Sequence, residues 1–264
     1  MDEQRIALVT GGAGGLGKAI CHALAQDGLR VAVCDLDAAA VRSVAGELAG
    51  AGHVGIVLDV ADEASVIDAF AAAERAIGSV SVLISCAGIQ RKRNTAGFGA
   101  PAKGRQVSPL PTGETDLANW DRTLAVNATG CFLTAREYVR RLPDECRDGR
   151  IVTFSSVAAH YGSIMSGIDY VASKAAIIGM TKTLAVELAP RQVTVNCIAP
   201  GLIDTPLFRK SVPPEADAEV SKAVPLGFVG VPDDVAGAVR FLVSGAARYI
   251  TGMTLDVNGG LRMQ

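Results

Sequence analysis

The chain has 264 residues, 49% apolar and 20% charged, with a formal net charge of −2. It can bury a large core as one α/β unit, and its mixed charge gives no basic footprint for nucleic acid. No apolar run reaches the roughly 18 residues that a membrane span needs, and the polar start Met1–Arg5 shows no signal peptide, so a cytoplasmic protein is expected.

Ile6-Ala7-Leu8-Val9 is a short apolar run suited to a strand buried on both faces of a parallel sheet. Thr10-Gly11-Gly12-Ala13-Gly14-Gly15-Leu16-Gly17 follows, then helical Lys18–Ala25, then a second strand, Arg30–Cys34, ending in Asp35. Glycines between strand and helix let backbone approach a pyrophosphate, and the helix N-terminus offers free N–H groups. An acidic residue about 20 residues further on can bind the adenosine ribose hydroxyls. Asp35 would also repel a 2′-phosphate, and the glycine loop has no arginine to attract one, so NAD is expected rather than NADP. The plainer reading of Asp35 is a strand-end turn residue.

The alternation continues: helix 38–50, strand 53–58 ending at Asp59-Val60, helix 62–77 with Asp62 as N-cap, and strand 80–85 leading into Cys86-Ala87-Gly88. Such alternation implies right-handed βαβ units and a doubly wound parallel sheet, with ligands at the carboxyl ends of the strands. Residues 90–115, with Arg91, Lys92, Arg93, Lys103 and Arg105, break the rhythm. This long loop is either a substrate-pocket flap that can contact an anionic substrate, or a solvated insertion.

A long helix is predicted over roughly 116–142, opening at Asp116 and directing Trp120, Leu124, Val126 and Phe132 to the core. Asn127 lies in its interior, where an amide is poorly suited. A fifth strand, 149–156, ends in Ser155 and Ser156. A helix carrying Tyr170 and Lys174 runs to about Ala189, a sixth strand covers 193–198, and a seventh covers 253–257. Residues 204–230, with four prolines and an apolar face including Leu207 and Phe208, read as a lid or as an ordinary surface helix. The six cysteines and three histidines lack metal-site or disulfide spacing, so no metal is expected.

Tyr170 and Lys174 stand one helical turn apart. A cation beside a phenol favours the phenolate and brings proton exchange toward neutral pH. By itself the pair is a weak signal; a packed tyrosine and a solvated lysine would give the same letters.

Together these features resemble the short-chain dehydrogenase/reductases over essentially the whole length. The matches are Thr10-Gly11-x-x-x-Gly15-x-Gly17, Asp59-Val60, Ala87-Gly88, Asn127, Ser156, Tyr170-x-x-x-Lys174, Pro200-Gly201 with Thr205, and Gly259-Gly260. The resemblance implies a single Rossmann-like domain over 1–264, a seven-stranded doubly wound parallel sheet with helices on both faces. It implies Tyr170 as acid/base, Lys174 as its cationic partner and holder of the nicotinamide ribose, Ser156 on the substrate oxygen, and Asn127 on a water leading from Lys174 to solvent. It assigns NAD to Gly11, Gly15, Leu16, Gly17, Asp35, Leu36, Asp59, Val60, Ala87, Gly88, Tyr170, Lys174, Pro200, Gly201, Ile203 and Thr205. Ser156, Ala158, Tyr161, Leu202 and Phe208 are the substrate candidates, with His160 and Ser163 beside them. A homotetramer is implied as well.

The chain departs from the family pattern at Cys86, where asparagine is usual, in the spacing from Ser156 to Tyr170, longer by one residue after Gly162, and in the length of the 90–115 loop. The substrate wall is therefore expected to differ in shape. Ser156 fits the family's serine position, with Ser155 as the alternative. The expected activity is NAD-dependent interconversion of a secondary alcohol (a polyol, hydroxysteroid or cyclic diol) and its ketone. The alternatives are a 3-oxoacyl thioester reductase and a non-catalytic dinucleotide-binding protein.

Overall fold

Short apolar runs separated by glycine turns and amphipathic helices leave the backbone little choice but a sheet covered on both sides. The computed structural model describes residues 4–90, 111–144, 146, 148–162, 166–209 and 212–263. The first half runs β1 (Ile6–Thr10), α1 (Gly15–Gln26), β2 (Arg30–Asp35), α2 (Ala38–Glu47), β3 (Val54–Val57), α3 (Glu63–Ile77) and β4 (Val82–Ser85). After it come α4 (Leu117–Leu124), α5 (Gly130–Arg141), β5 (Arg150–Phe154), α6 (Ala158–Tyr161), α7 (Ile168–Leu188), β6 (Thr194–Pro200), α8 (Pro206–Arg209), α9 (Asp217–Val220), α10 (Pro232–Val243) and β7 (Thr254–Val257).

The strands form one seven-stranded sheet in the order β3-β2-β1-β4-β5-β6-β7, every neighbouring pair parallel. Chain direction across the sheet reverses between β1 and β4, which opens a crevice at their carboxyl ends. β1 shows why the run Ile6–Val9 lacks polar positions. Ala7 and Val9 pack with Ile20, Leu24 and Val239 on one face, while Ile6 and Leu8 pack with Phe70, Leu133 and Tyr138 on the other. Each fully buried leucine or isoleucine contributes about 1.5–3 kcal/mol of transfer free energy.

The predicted caps are present: Asp62 accepts from the amide of Ala64, and Asp116 from that of Asn119. The helix predicted over 116–142 is interrupted. Between α4 and α5, Ala125–Thr129 form a π-helical turn. The reason is tertiary: the buried Asn127 side chain is drawn to the loop after β4. The described residues of the 204–230 segment include several short helical pieces. Residues 91–110 of the predicted insertion lie outside the described residues. Among the described residues, no helix is long and apolar enough to cross a membrane.

Candidate active site

The glycine loop joins β1 to α1 at the crevice. Gly11 has φ of +66°, and a Cβ there would stand 2.9 Å from the Cα of Ala87, so only glycine lets these two strand ends meet. A side chain at Gly17 would collide with the carbonyl of Gly11, so α1 can close on the turn only as the sequence has it. The helix N-cap is Gly14, with no side-chain cap, which leaves the first-turn N–H groups to accept an anion.

Asp35 ends β2 beside this loop. One carboxylate oxygen accepts from the Leu36 amide at 2.8 Å and the other from the Ala13 amide at 3.2 Å, which fixes the carboxylate between loop and strand. Leu36 is exposed, and Val60 turns its side chain into the core beside Gly130. Asp59 caps the turn through the amide of Ala61 at 2.9 Å. Ala87 donates its amide to the Thr10 hydroxyl at 3.1 Å. These groups lie along the carboxyl ends of β1 to β4, where a dinucleotide extends on such sheets.

The reacting end is organised by α7. Lys174 is 5% exposed; its ammonium donates to the Phe154 carbonyl at 2.8 Å and lies 5.8 Å from the centroid of the Tyr170 ring. A Cβ on Gly88 would stand 3.2 Å from Lys174 Nζ and 3.4 Å from Asn127 Oδ1, so both groups flank the bare backbone of Gly88. Asn127 is fully buried. Its oxygen accepts from the Ile89 amide at 2.8 Å, and its nitrogen donates to the Ile89 carbonyl and the Ser173 hydroxyl, both at 3.0 Å. Ser173 in turn donates to the Tyr170 carbonyl.

The two serines after β5 part company. Ser155 is buried and donates to the Lys174 carbonyl at 2.8 Å, bracing strand to helix. Ser156 accepts from the Ala158 amide at 3.2 Å and is half-buried on the cavity wall.

One cavity of about 700 Å³ joins Ser156, Tyr170 and Lys174 to Leu16, Gly88, Pro200, Gly201, Ile203 and Thr205 on one side. Ala158, Tyr161, Leu202 and Phe208 line the other. His160 is a correction: it does not line this cavity. In the single turn of α6, Ala158 and Tyr161 are three apart and share a face, whereas His160 turns away, its Nε2 buried without a hydrogen-bond partner among the described residues. Ser163 lies outside the described residues. Sequence reasoning missed Gln90, Ser166 and Leu261 on the wall. The signal for Gln90 was available, two residues past Gly88 at the strand end. Among the described residues, no cluster of His, Cys, Asp or Glu could hold a metal.

A glycine turn before an uncapped helix, a carboxylate at the end of β2 and a Tyr/Lys/Ser cavity at the switch point of a parallel sheet are the arrangement in which such sheets bind a dinucleotide. The comparisons agree. The family described as Enoyl-(Acyl carrier protein) reductase matches residues 11–262. D-threitol dehydrogenase of Mycolicibacterium smegmatis is 38% identical over 261 residues, covering 98% of this chain and 93% of the relative. The short-chain dehydrogenase/reductase structure titled glucose/ribitol dehydrogenase, from Brucella melitensis, superposes with a TM-score of 0.86 at 30% identity, covering 99% and 98% of the two chains. A 3-ketoacyl-(acyl-carrier-protein) reductase from the same organism, complexed with NADH, gives a TM-score of 0.86 at 30% identity over 99% of each. The chain belongs to the short-chain dehydrogenase/reductase family. It is an oxidoreductase acting on CH–OH groups with a nicotinamide cofactor.

Proposed function

We propose that this enzyme is an NAD-dependent dehydrogenase that interconverts a secondary alcohol and its ketone, with Tyr170 as the acid/base. The observation that carries the reading is the single cavity in which Tyr170, Lys174 and Ser156 converge, with Lys174 held to the Phe154 carbonyl. The bound nicotinamide supplies the hydride acceptor or donor. Ser156 and Tyr170 hydrogen-bond the substrate oxygen as its charge changes. Tyr170 takes the hydroxyl proton in oxidation and returns it in reduction, and Lys174 favours the ionised phenol. Asn127 anchors the wall behind Lys174 and holds a water on the route to solvent.

The glycine turn and uncapped α1 would hold the pyrophosphate, Asp35 and Leu36 the adenosine ribose, Asp59, Val60 and Ala87 the adenine side. Pro200, Gly201, Ile203 and Thr205 would hold the nicotinamide end. The fixed carboxylate of Asp35 supports NAD over NADP, since a 2′-phosphate would sit against it. Ala158, Tyr161, Leu202 and Phe208 form the substrate wall, and residues 204–230 close over it as a lid. Phe132 on α5, expected from the sequence to face the core, is instead exposed, as is Val186 on α7, and these apolar side chains support a homotetramer packed through the two helices.

A second reading, a 3-oxoacyl thioester reductase, is favoured by the likeness to the NADH-bound ketoacyl reductase structure. A panel of secondary alcohols with NAD and NADP, and of ketones and a 3-oxoacyl thioester with the reduced forms, separates the two at the nicotinamide absorbance. The expected result is alcohol oxidation with kcat/KM at least about tenfold higher for NAD. Preference for NADPH and the thioester would overturn it.

A further inference from the structure

Most polar side chains on the cavity wall are already committed. Ser156, Tyr170 and Lys174 surround the reacting oxygen. Ser155 is spent on the Lys174 carbonyl, Thr205 accepts from the Phe208 amide at 3.2 Å, and Glu219 is ion-paired with Lys222 at the exposed surface. The remaining wall is largely apolar, with Phe154, Leu202, Leu207, Phe208, Val212 and Val220. One polar pair stands out against it.

Gln90 Nε2 donates to Ser166 Oγ at 3.3 Å, and both residues line the cavity. That bond is long for N–H···O and uses one of the four hydrogen-bonding positions of a carboxamide. Among the described residues, neither the Gln90 Oε1 nor the Ser166 hydroxyl proton has a further hydrogen-bond partner on the wall. The pair is also positioned, not merely present. Gln90 follows Ile89, whose amide and carbonyl are both clamped by Asn127. Ser166 precedes Gly167, the N-cap of the helix that carries Tyr170. Each half is thus one residue from a fixed part of the reacting frame.

A neutral amide and a hydroxyl on the wall of the cavity that also holds Ser156 and Tyr170, among largely apolar neighbours, offer donors and an acceptor to one more oxygen. We infer that Gln90 and Ser166 form a second polar subsite, which binds an additional hydroxyl or carbonyl oxygen of the substrate and selects which carbinol carbon faces Tyr170. The inference rests on the dehydrogenase reading above and narrows it: the substrate class is a diol or hydroxy ketone with an apolar skeleton, not a plain alcohol. A site built to hydrogen-bond a substrate oxygen discriminates against the analogue that lacks it, because its own polar groups are then left unpaired.

Matched pairs test this: 1,2-cyclohexanediol (cis and trans) against cyclohexanol, and 2,3-butanediol against 2-butanol, each with NAD. The intact enzyme is expected to favour at least one diol over its mono-alcohol by about tenfold or more in kcat/KM. Gln90→Leu, close in size, should lower that ratio about tenfold, mainly through the KM of the diol. Ser166→Ala, which leaves the Ile89 clamp untouched, should lower it in the same direction, so a folding defect in one variant cannot decide the matter. No diol preference in the intact enzyme, or equal losses on diol and mono-alcohol in both variants, overturns the subsite while leaving the dehydrogenase reading intact. Absence of turnover with these five substrates and with the wider alcohol panel, under both cofactors, overturns the dehydrogenase reading, and the subsite with it.

Discussion

The ammonium of Lys174 donates to the carbonyl of Phe154 across 2.8 Å, joining the second turn of α7 to the last residue of β5. A lysine side chain has about 2 kcal/mol of rotamer entropy to lose, and here the loss is taken on folding, before any ligand binds. The charge therefore stands beside the Tyr170 ring at 5.8 Å as part of the scaffold, and no rearrangement is needed to bring it there when substrate enters.

Tyr170→Phe keeps the ring under that charge and removes only the hydroxyl. Turnover is expected to fall by about 10²–10⁴-fold, the usual span of positioned acid/base catalysis. NADH binding, followed by its fluorescence, should stay within about threefold of the parent enzyme. Retained turnover would mean that another group moves the proton.

Asn127→Ala tests the π-turn. The change deletes hydrogen bonds to both backbone groups of Ile89 and to Ser173. Each buried polar group left unpaired costs about 1–3 kcal/mol, and in a chain of this size 1 kcal/mol moves the melting temperature by about 2–4 °C. A fall of about 5–10 °C in thermal unfolding is expected, together with weakened turnover, because the loop leading to Gln90 loses its clamp. A melting point within 2 °C of the parent would show the clamp to be decorative.

Asp35→Ser removes the fixed carboxylate while leaving a small hydrogen-bonding side chain. A hydrogen bond to a charged group contributes about 1.5–3 kcal/mol, so the kcat/KM for NAD should fall by about 10–100-fold. With the repulsion gone, NADP should lose nothing or improve. Equal losses on both cofactors in steady-state kinetics would refute the selectivity assigned to this residue.

Much of this was legible in the letters, for identifiable reasons. A strand buried on both faces must be apolar throughout, so Ile6–Val9 and its counterparts announced a parallel sheet. A helix places residues four apart on one face, so the letters alone pair Tyr170 with Lys174. What was not legible depends on partners distant in sequence. The π-turn at Asn127 goes with a side chain that accepts from the amide of Ile89, 38 positions away, and donates to its carbonyl. Gln90 meets Ser166 across 76 positions, and no local pattern encodes that meeting. His160 and Tyr161 are adjacent in sequence, and only the packing of a one-turn helix decides which of them faces the cavity. Ser155 and Ser156 likewise alternate across the end of β5, one spent on bracing α7 and one left on the wall.

Cys86 stands where the family pattern has asparagine, and it touches the cavity. A thiol in an active site invites the idea of a reactive group, but the surroundings argue otherwise. Burial pushes the Cys86 thiol up to about 12, against the opposing pull of the Lys174 ammonium. The thiolate is the nucleophile, and at pH 8 such a group is ionised in only about one molecule in 10⁴. Iodoacetamide at pH 8 should therefore leave Cys86 unmodified over an hour, as read by mass spectrometry of its peptide, and activity should survive. Raising the pH toward 10 increases the thiolate fraction tenfold per unit, so any alkylation should accelerate in that direction. Rapid alkylation at pH 7, with activity lost in step and protected by NAD, would instead identify Cys86 as an ionised group at the nicotinamide end of the cavity.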